Sequence, residues 1–240
     1  MYKILEIVAV TALSLLLAAP ADGLSLNKSI EIAAGSEADG QSSVNGSISV
    51  GEGAVINGSL ETVNGSIRID DKVTLRDAET VNGAIRIGSG STADDLSSVN
   101  GAITLASNVV VNGGVETVNG EITVDEGTRV TDGVGNVNGD ISLVGADVGG
   151  NLSTVNGDVS LDRGSILRGN LVVEQQNPGG FGFGKLRRKT RVVIGRDSKV
   201  LGTVVLEREV ELYLHDSAEV GGVSGVMGLD DAVRFSGDRP

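Results

Sequence analysis

The sequence predicts an all-β fold, a right-handed parallel β-helix (solenoid) with 18–19-residue coils, and three observations predict it. The triplet Val-Asn-Gly recurs seven times, at Val44, Val63, Val81, Val99, Val118, Val137 and Val155, each 18 or 19 residues after the last. A short fixed period is the signature of stacked supersecondary units. Each triplet opens a period-two run (SVNGSISV, TVNGSIRI, TVNGAIRI, SVNGAITL, TVNGEITV, NVNGDISL, TVNGDVSL), the pattern of a half-buried strand. No proline lies between Ala21 and Asn177, and no aromatic residue between Tyr2 and Phe181. Interior strands need every N–H for the next strand, and a narrow tube has no room for rings.

In chain order, residues 1–21 read as a secretory signal peptide. Lys3 leads, an apolar stretch runs from Ile7 to Ala19, and Ala19-Pro20-Ala21 has the small-x-small form of a cleavage site. The mature chain is therefore expected to be exported, to the periplasm or outside the cell, and to associate with the envelope. Residues 22–176 form the Val-Asn-Gly solenoid, opened by a degenerate copy in which Asn27-Lys28-Ser29-Ile30 falls in register with Asn45-Gly46-Ser47-Ile48. The expected inward set is Ile48, Ile67, Ile85, Ile103, Ile122, Ile141 and Val159, each with the apolar residue two positions on. A looser second motif, as in Ile56-Asn57-Gly58-Ser59-Leu60 and Val111-Asn112-Gly113-Gly114-Val115, marks a further corner in each coil.

Asn-Gly between alternating strands is also the strongest short hairpin signal, so an antiparallel meander is the competing architecture. Only one Asn-Gly column is invariant among the repeats, whereas a meander needs a turn of similar strength at its other bends. In a solenoid Asn45, Asn64, Asn82, Asn100, Asn119, Asn138 and Asn156 stack about 4.8 Å apart as a ladder of side-chain amides.

Residues 177–191 break the pattern with Pro178, four glycines, Phe181 and Phe183, and with Lys185, Arg187, Arg188, Lys189 and Arg191 but no acidic residue. Against a net charge of −13 this is a strong local contrast. These seven aromatic and basic residues form the candidate partner-binding element, suited to an anionic envelope surface or an acidic polymer. The plainer reading is an insertion whose cations pair with the protein's own acidic flank. Coils resume over 192–225, and 226–240 form a cap or tail.

The absence of cysteine removes disulfides, thiol catalysis and thiolate metal sites. The negative charge argues against nucleic-acid partners. No nucleophile elbow and no phosphate-binding loop occurs, so no catalytic residue, resident metal or cofactor is expected. The best candidate for cation or sugar chemistry is the outward column Glu121, Asp140 and Asp158 on adjacent coils, for which a solvated acidic stripe is the plainer reading. His215 is the sole histidine and reads as a lone surface residue.

The Val-Asn-Gly-x-Ile-x-Val units and the later Ile-Gly and Val-x-Gly motifs resemble those of bactofilin-type polymer-forming proteins and of adhesin-type bacterial β-solenoid repeat proteins, over roughly Asn27 to Gly225 with residues 178–190 left out. The resemblance implies a structural or adhesive, non-enzymatic role and self-association. The export signal departs from the bactofilin pattern, and the polar tail would obstruct end-to-end assembly. The alternative is a polysaccharide-binding or polysaccharide-cleaving β-helix protein using an acidic face.

Overall fold

The computed structural model describes residues 24–175 and 189–240. Residues 1–23, which include the predicted signal peptide 1–21, and residues 176–188 lie outside the described residues. Among the described residues the chain is nearly all β, with a single 3-10 turn at Leu229–Asp231 and no α-helix. Every strand pairing is parallel and joins residues of successive coils. The meander is thereby excluded, and the fold is a β-solenoid of about ten turns.

Each coil has three faces. The first carries the longest strand and ends in the asparagine of the triplet, as in Leu60–Asn64, Leu96–Asn100 and Val115–Asn119. The second follows the glycine, as in Ile67–Ile69 and Ile103–Leu105, and continues through an eleven-stranded sheet from Ile30–Ile32 to Val233–Phe235. The third is mostly two residues per coil, as in Val110–Val111 and Arg129–Val130. Near the C-terminal end Lys199–Leu206 runs through the third face into the first and joins them in a sixteen-stranded sheet.

The alternation drives these elements inward and outward as the sequence implies. Ile48, Ile67, Ile85, Ile103, Ile122, Ile141 and Val159 are fully or almost fully buried, as are Val50, Ile69, Ile87, Leu105, Val124, Leu143 and Leu161 two positions on. Leu60, Ala78, Leu96, Val115, Val134 and Leu152 close the core from the first face, and Ile56, Ala93, Val111, Val130 and Val148 from the third. At about 1.5–3 kcal/mol per buried aliphatic side chain, these columns supply most of the driving force for coiling.

Two positions in the coil are governed by backbone geometry. The corner between the second and third faces needs a left-handed residue, supplied by Gly53, Gly90, Gly127 and Gly145 and, with φ near +60°, by Lys72, Asn108 and Asp197. The glycine of the triplet answers a different demand. A Cβ on Gly65, Gly83, Gly101, Gly120 or Gly157 would run into the carbonyl oxygen of the glycine one coil below. Close stacking, and not the positive φ that a hairpin would require, keeps this column free of side chains.

That glycine carbonyl is also an acceptor. The hydroxyls of Thr62, Thr80, Ser98 and Thr117 point into the core and donate to Gly46, Gly65, Gly83 and Gly101 at 2.9, 2.9, 3.2 and 3.1 Å. A column of buried polar side chains is thereby satisfied, as burial demands. The tail is folded in part: Val233–Phe235 pairs with Tyr213–His215, Ala232 packs on the core, and Arg234 donates to the His215 carbonyl at 3.4 Å.

Candidate interaction surfaces

The asparagines of the triplets lie at the edge of the first face. Asn45 Nδ2 donates to Asn27 Oδ1 at 2.8 Å, and Asn64, Asn82, Asn100, Asn119, Asn138 and Asn156 each donate to the preceding asparagine at 2.8–3.0 Å. Eight amides thus form one continuous, largely solvent-facing chain, beginning at the degenerate first copy. Each link contributes modestly, on the order of 1 kcal/mol.

In sequence, the basic segment follows the point where that ladder ends. Leu171 and Val173 stack on Leu152 and Thr154, so Glu174 and Gln175 continue the positions of Val155 and Asn156. The next stacked residue on the second face is Val192 over Val159, so the insertion lies in sequence between Gln175 of the first face and Val192 of the second, where earlier coils have a single glycine and one further residue. Of the candidate partner-binding residues, Phe181, Phe183, Lys185, Arg187 and Arg188 lie outside the described residues. Lys189 and Arg191 are placed, and Arg191 already belongs to the strand Arg191–Ile194.

Both placed cations are engaged within the chain. Lys189 Nζ is 2.7 Å from Glu209 Oε2, which raises the lysine's pKa and lowers the glutamate's through the hydrogen bond and the opposite charge. Arg191 Nε is 3.7 Å from Glu211 Oε2, and its guanidinium lies 5.4 Å from the centre of the Tyr213 ring. Gln175 N donates to Glu207 Oε2 at 2.9 Å on the departing side. Arg208 ties the base together, its Nη2 donating to the Val155 carbonyl and to Thr190 Oγ1. Burial lowers the pKa of Arg208, and its Nε has no hydrogen-bond partner among the described residues.

In the outward column Glu121, Asp140 and Asp158, the two aspartates have a stacking task, whereas Glu121 bonds within its own coil. Asp140 Oδ1 accepts from Asp158 N at 2.8 Å, Asp158 Oδ1 accepts from Arg191 N at 2.9 Å, and Glu121 Oε1 accepts from Thr123 Oγ1 at 3.3 Å. In earlier coils the hydroxyls of Ser47 and Ser66 at the same position accept from Ser66 N and Ala84 N. Where this position holds serine or aspartate, its short acceptor takes the corner N–H of the next coil; Ala84 and Ala102 stand there without one. Among the described residues, no group of three or more His, Asp or Glu side chains is arranged to hold a metal ion.

His215 corrects the reading from sequence: it is only 8% exposed. Its Nδ1 accepts from Ser217 N at 3.1 Å and lies 2.8 Å from Ser217 Oγ, and its ring meets Phe235 edge-on at 5.2 Å. The tail strand covers it, so it anchors the C-terminal end rather than facing solvent.

A second acidic column was not anticipated. Glu61 and Glu79 stack in register on the first face, followed by Ser97 and then Glu116. Burial raises all three carboxyl pKa values, and for Glu79, with Glu61, Asp77 and Asp95 adding like-charge repulsion, to about 7. The signal was the repeated aliphatic-Glu-Thr-Val-Asn run, which becomes legible once the strand is known to begin four residues before the asparagine.

No protein-family model, no curated protein and no solved structure matches the chain.

Proposed function

We propose that the protein is an exported, non-enzymatic, structural or adhesin-like β-solenoid that acts at the cell envelope through its faces and ends and self-associates there. The observation that carries this reading is that the repeated polar residues are committed to stacking. The asparagines bond to one another, the inward hydroxyls to glycine carbonyls, and Asp140 and Asp158 to corner N–H groups. Repeat-encoded stacking of this kind builds a rod, not a reaction centre. The signal-like N-terminus supports export, and the likeness of the repeats to bactofilin-type and adhesin-type solenoids supports assembly or adhesion.

The basic segment is the partner-contacting element in this proposal, through Phe181, Phe183, Lys185, Arg187 and Arg188 on a base held by Lys189 and Arg191. Removing residues 177–188 is expected to leave the circular dichroism spectrum intact and to shift the protein from the envelope fraction to the soluble one. Unchanged fractionation would remove the segment from the proposal. Light scattering of the mature chain separates assembly from adhesion, since filaments or oligomers are expected from the first and monomers from the second alone. The polysaccharide-active alternative requires Asp140→Asn with Asp158→Asn to abolish polysaccharide binding or turnover.

A further inference from the structure

One coil departs from the stacking pattern inside the core. In the strand Val134–Asn138 the inward position held in the other Val-Asn-Gly coils by Thr or Ser is Asn136, and the outward position before it is Gly135. Asn136 is fully buried, and its Nδ2 donates to the Gly120 carbonyl at 3.4 Å and to the Gly139 carbonyl at 2.5 Å. The longer side chain thus reaches past the usual acceptor to the glycine of its own coil. Gly139 alone among the seven triplet glycines takes a φ, +125°, in the region closed to other residues.

The consequence falls on the next coil. By the pattern of Thr80 on Gly65 and Ser98 on Gly83, the Thr154 hydroxyl would donate to the Gly139 carbonyl. Asn136 Nδ2 occupies that acceptor, and Thr154 Oγ1 is fully buried without a partner. Asn136 Oδ1 is buried without a partner as well. Asn136 and Thr154 are in-register neighbours, so both defects lie at one interface between coils. The backbone ladder, the Asn138–Asn156 bond and the Arg168–Asp147 ion pair continue across it, so the departure is confined to the interior.

We infer that this interface is the weakest plane of the rod and divides the solenoid into two stability units, one ending with the coil of Asn136 and one beginning with the strand Leu152–Asn156. Solenoid stability is a sum of coil and nearest-neighbour interface contributions, so a single poor interface sets where the array comes apart. Buried polar groups without partners weaken an interface, whereas the same groups satisfied do not. The plane separates the coils bearing Glu61, Glu79 and Glu116 from those bearing the base of the basic segment, so the two surfaces can be lost independently.

Hydrogen exchange of the full chain in increasing urea, read peptide by peptide, tests this. Peptides before Val134 and after Leu152 are expected to lose protection at different urea concentrations, with opening at the plane about tenfold to a hundredfold more frequent than at the interface joining Ser98 to Thr117. Asn136→Thr, which restores the hydroxyl column, is expected to bring the two transitions together. Thr154→Val, which removes one orphan hydroxyl without changing shape, is expected to narrow the gap by a smaller step. A single transition shared by both units in the natural chain, or a gap that neither substitution moves, would overturn the inference. So would an ordered water bonded to both Asn136 Oδ1 and Thr154 Oγ1, since neither group would then be unsatisfied.

Discussion

The coils from Val44 to Gly157 and those from Leu171 to Phe235 build the same rod by different means. In the first region one chemical character is kept at each ladder position, with asparagine at the corner, glycine after it and, in every coil but that of Asn136, a hydroxyl facing inward. In the second, Val173 and Leu206 replace the inward hydroxyl, Gln175 and Arg208 replace the asparagine, and the corner accepts an insertion. Inward alternation continues through both as far as Leu214, as in Val192, Ile194, Leu212 and Leu214. The apolar columns therefore specify the solenoid, and the Asn-Gly columns specify a tightly stacked corner. Where those columns stop, the corner is released to carry something else.

The sharpest way to break this comparison is with matched glycine substitutions. Gly101→Ala pushes a methyl into the Gly83 carbonyl and is expected to cost about 3 kcal/mol or more. Gly222→Ala in the last coil meets nothing within 4 Å and is expected to change stability by less than about 0.5 kcal/mol. Thermal denaturation of the pair measures the contrast. Next in size, Thr117→Val leaves the Gly101 carbonyl without its donor and is expected to cost about 1–2 kcal/mol in urea denaturation.

A pH-dependent effect of similar or smaller size belongs to the glutamate column of the first region. Glu79 binds its proton more tightly folded than unfolded, with its pKa raised from 4.5 to about 7. Its contribution to stability is fully present below about pH 4.5 and is lost as the pH rises through 7. Glu79→Gln is therefore expected to stabilise the rod at pH 8 by on the order of 1 kcal/mol, after discounting for solvent screening, and to be neutral at pH 4. The smallest effect is expected at the base of the basic segment. Lys189 and Glu209 are solvent-exposed, so Lys189→Ala should alter the melting temperature little.

What the sequence made legible follows from the range of each interaction. Ile67-Arg68-Ile69 or Ile122-Thr123-Val124 declares its buried face by alternation alone, because a two-residue period admits one inward set. The seven-fold triplet fixed the coil length for the same local reason. Thr62, Thr80 and Thr117 were not legible as core residues, since threonine suits either face and its acceptor lies one coil away. His215 was misplaced because the strand that covers it, Val233–Phe235, sits in a stretch whose polar composition hides its pairing. Asp140 and Asp158 suggested a cation site because the N–H groups they receive belong to the following coil.

The central claim is parallel stacking one coil at a time, and a distance between two outward positions on the second face tests it most directly. Arg68 and Ser160 are separated by five consecutive stacking steps, through Arg86, Thr104, Thr123 and Ser142. The chain has no native cysteine, so Arg68→Cys with Ser160→Cys can be spin-labelled cleanly. Pulsed electron resonance is expected to give a separation of about 24 Å, five times the inter-strand spacing. A separation near 48 Å, as two antiparallel strands per repeat would produce, would contradict the solenoid.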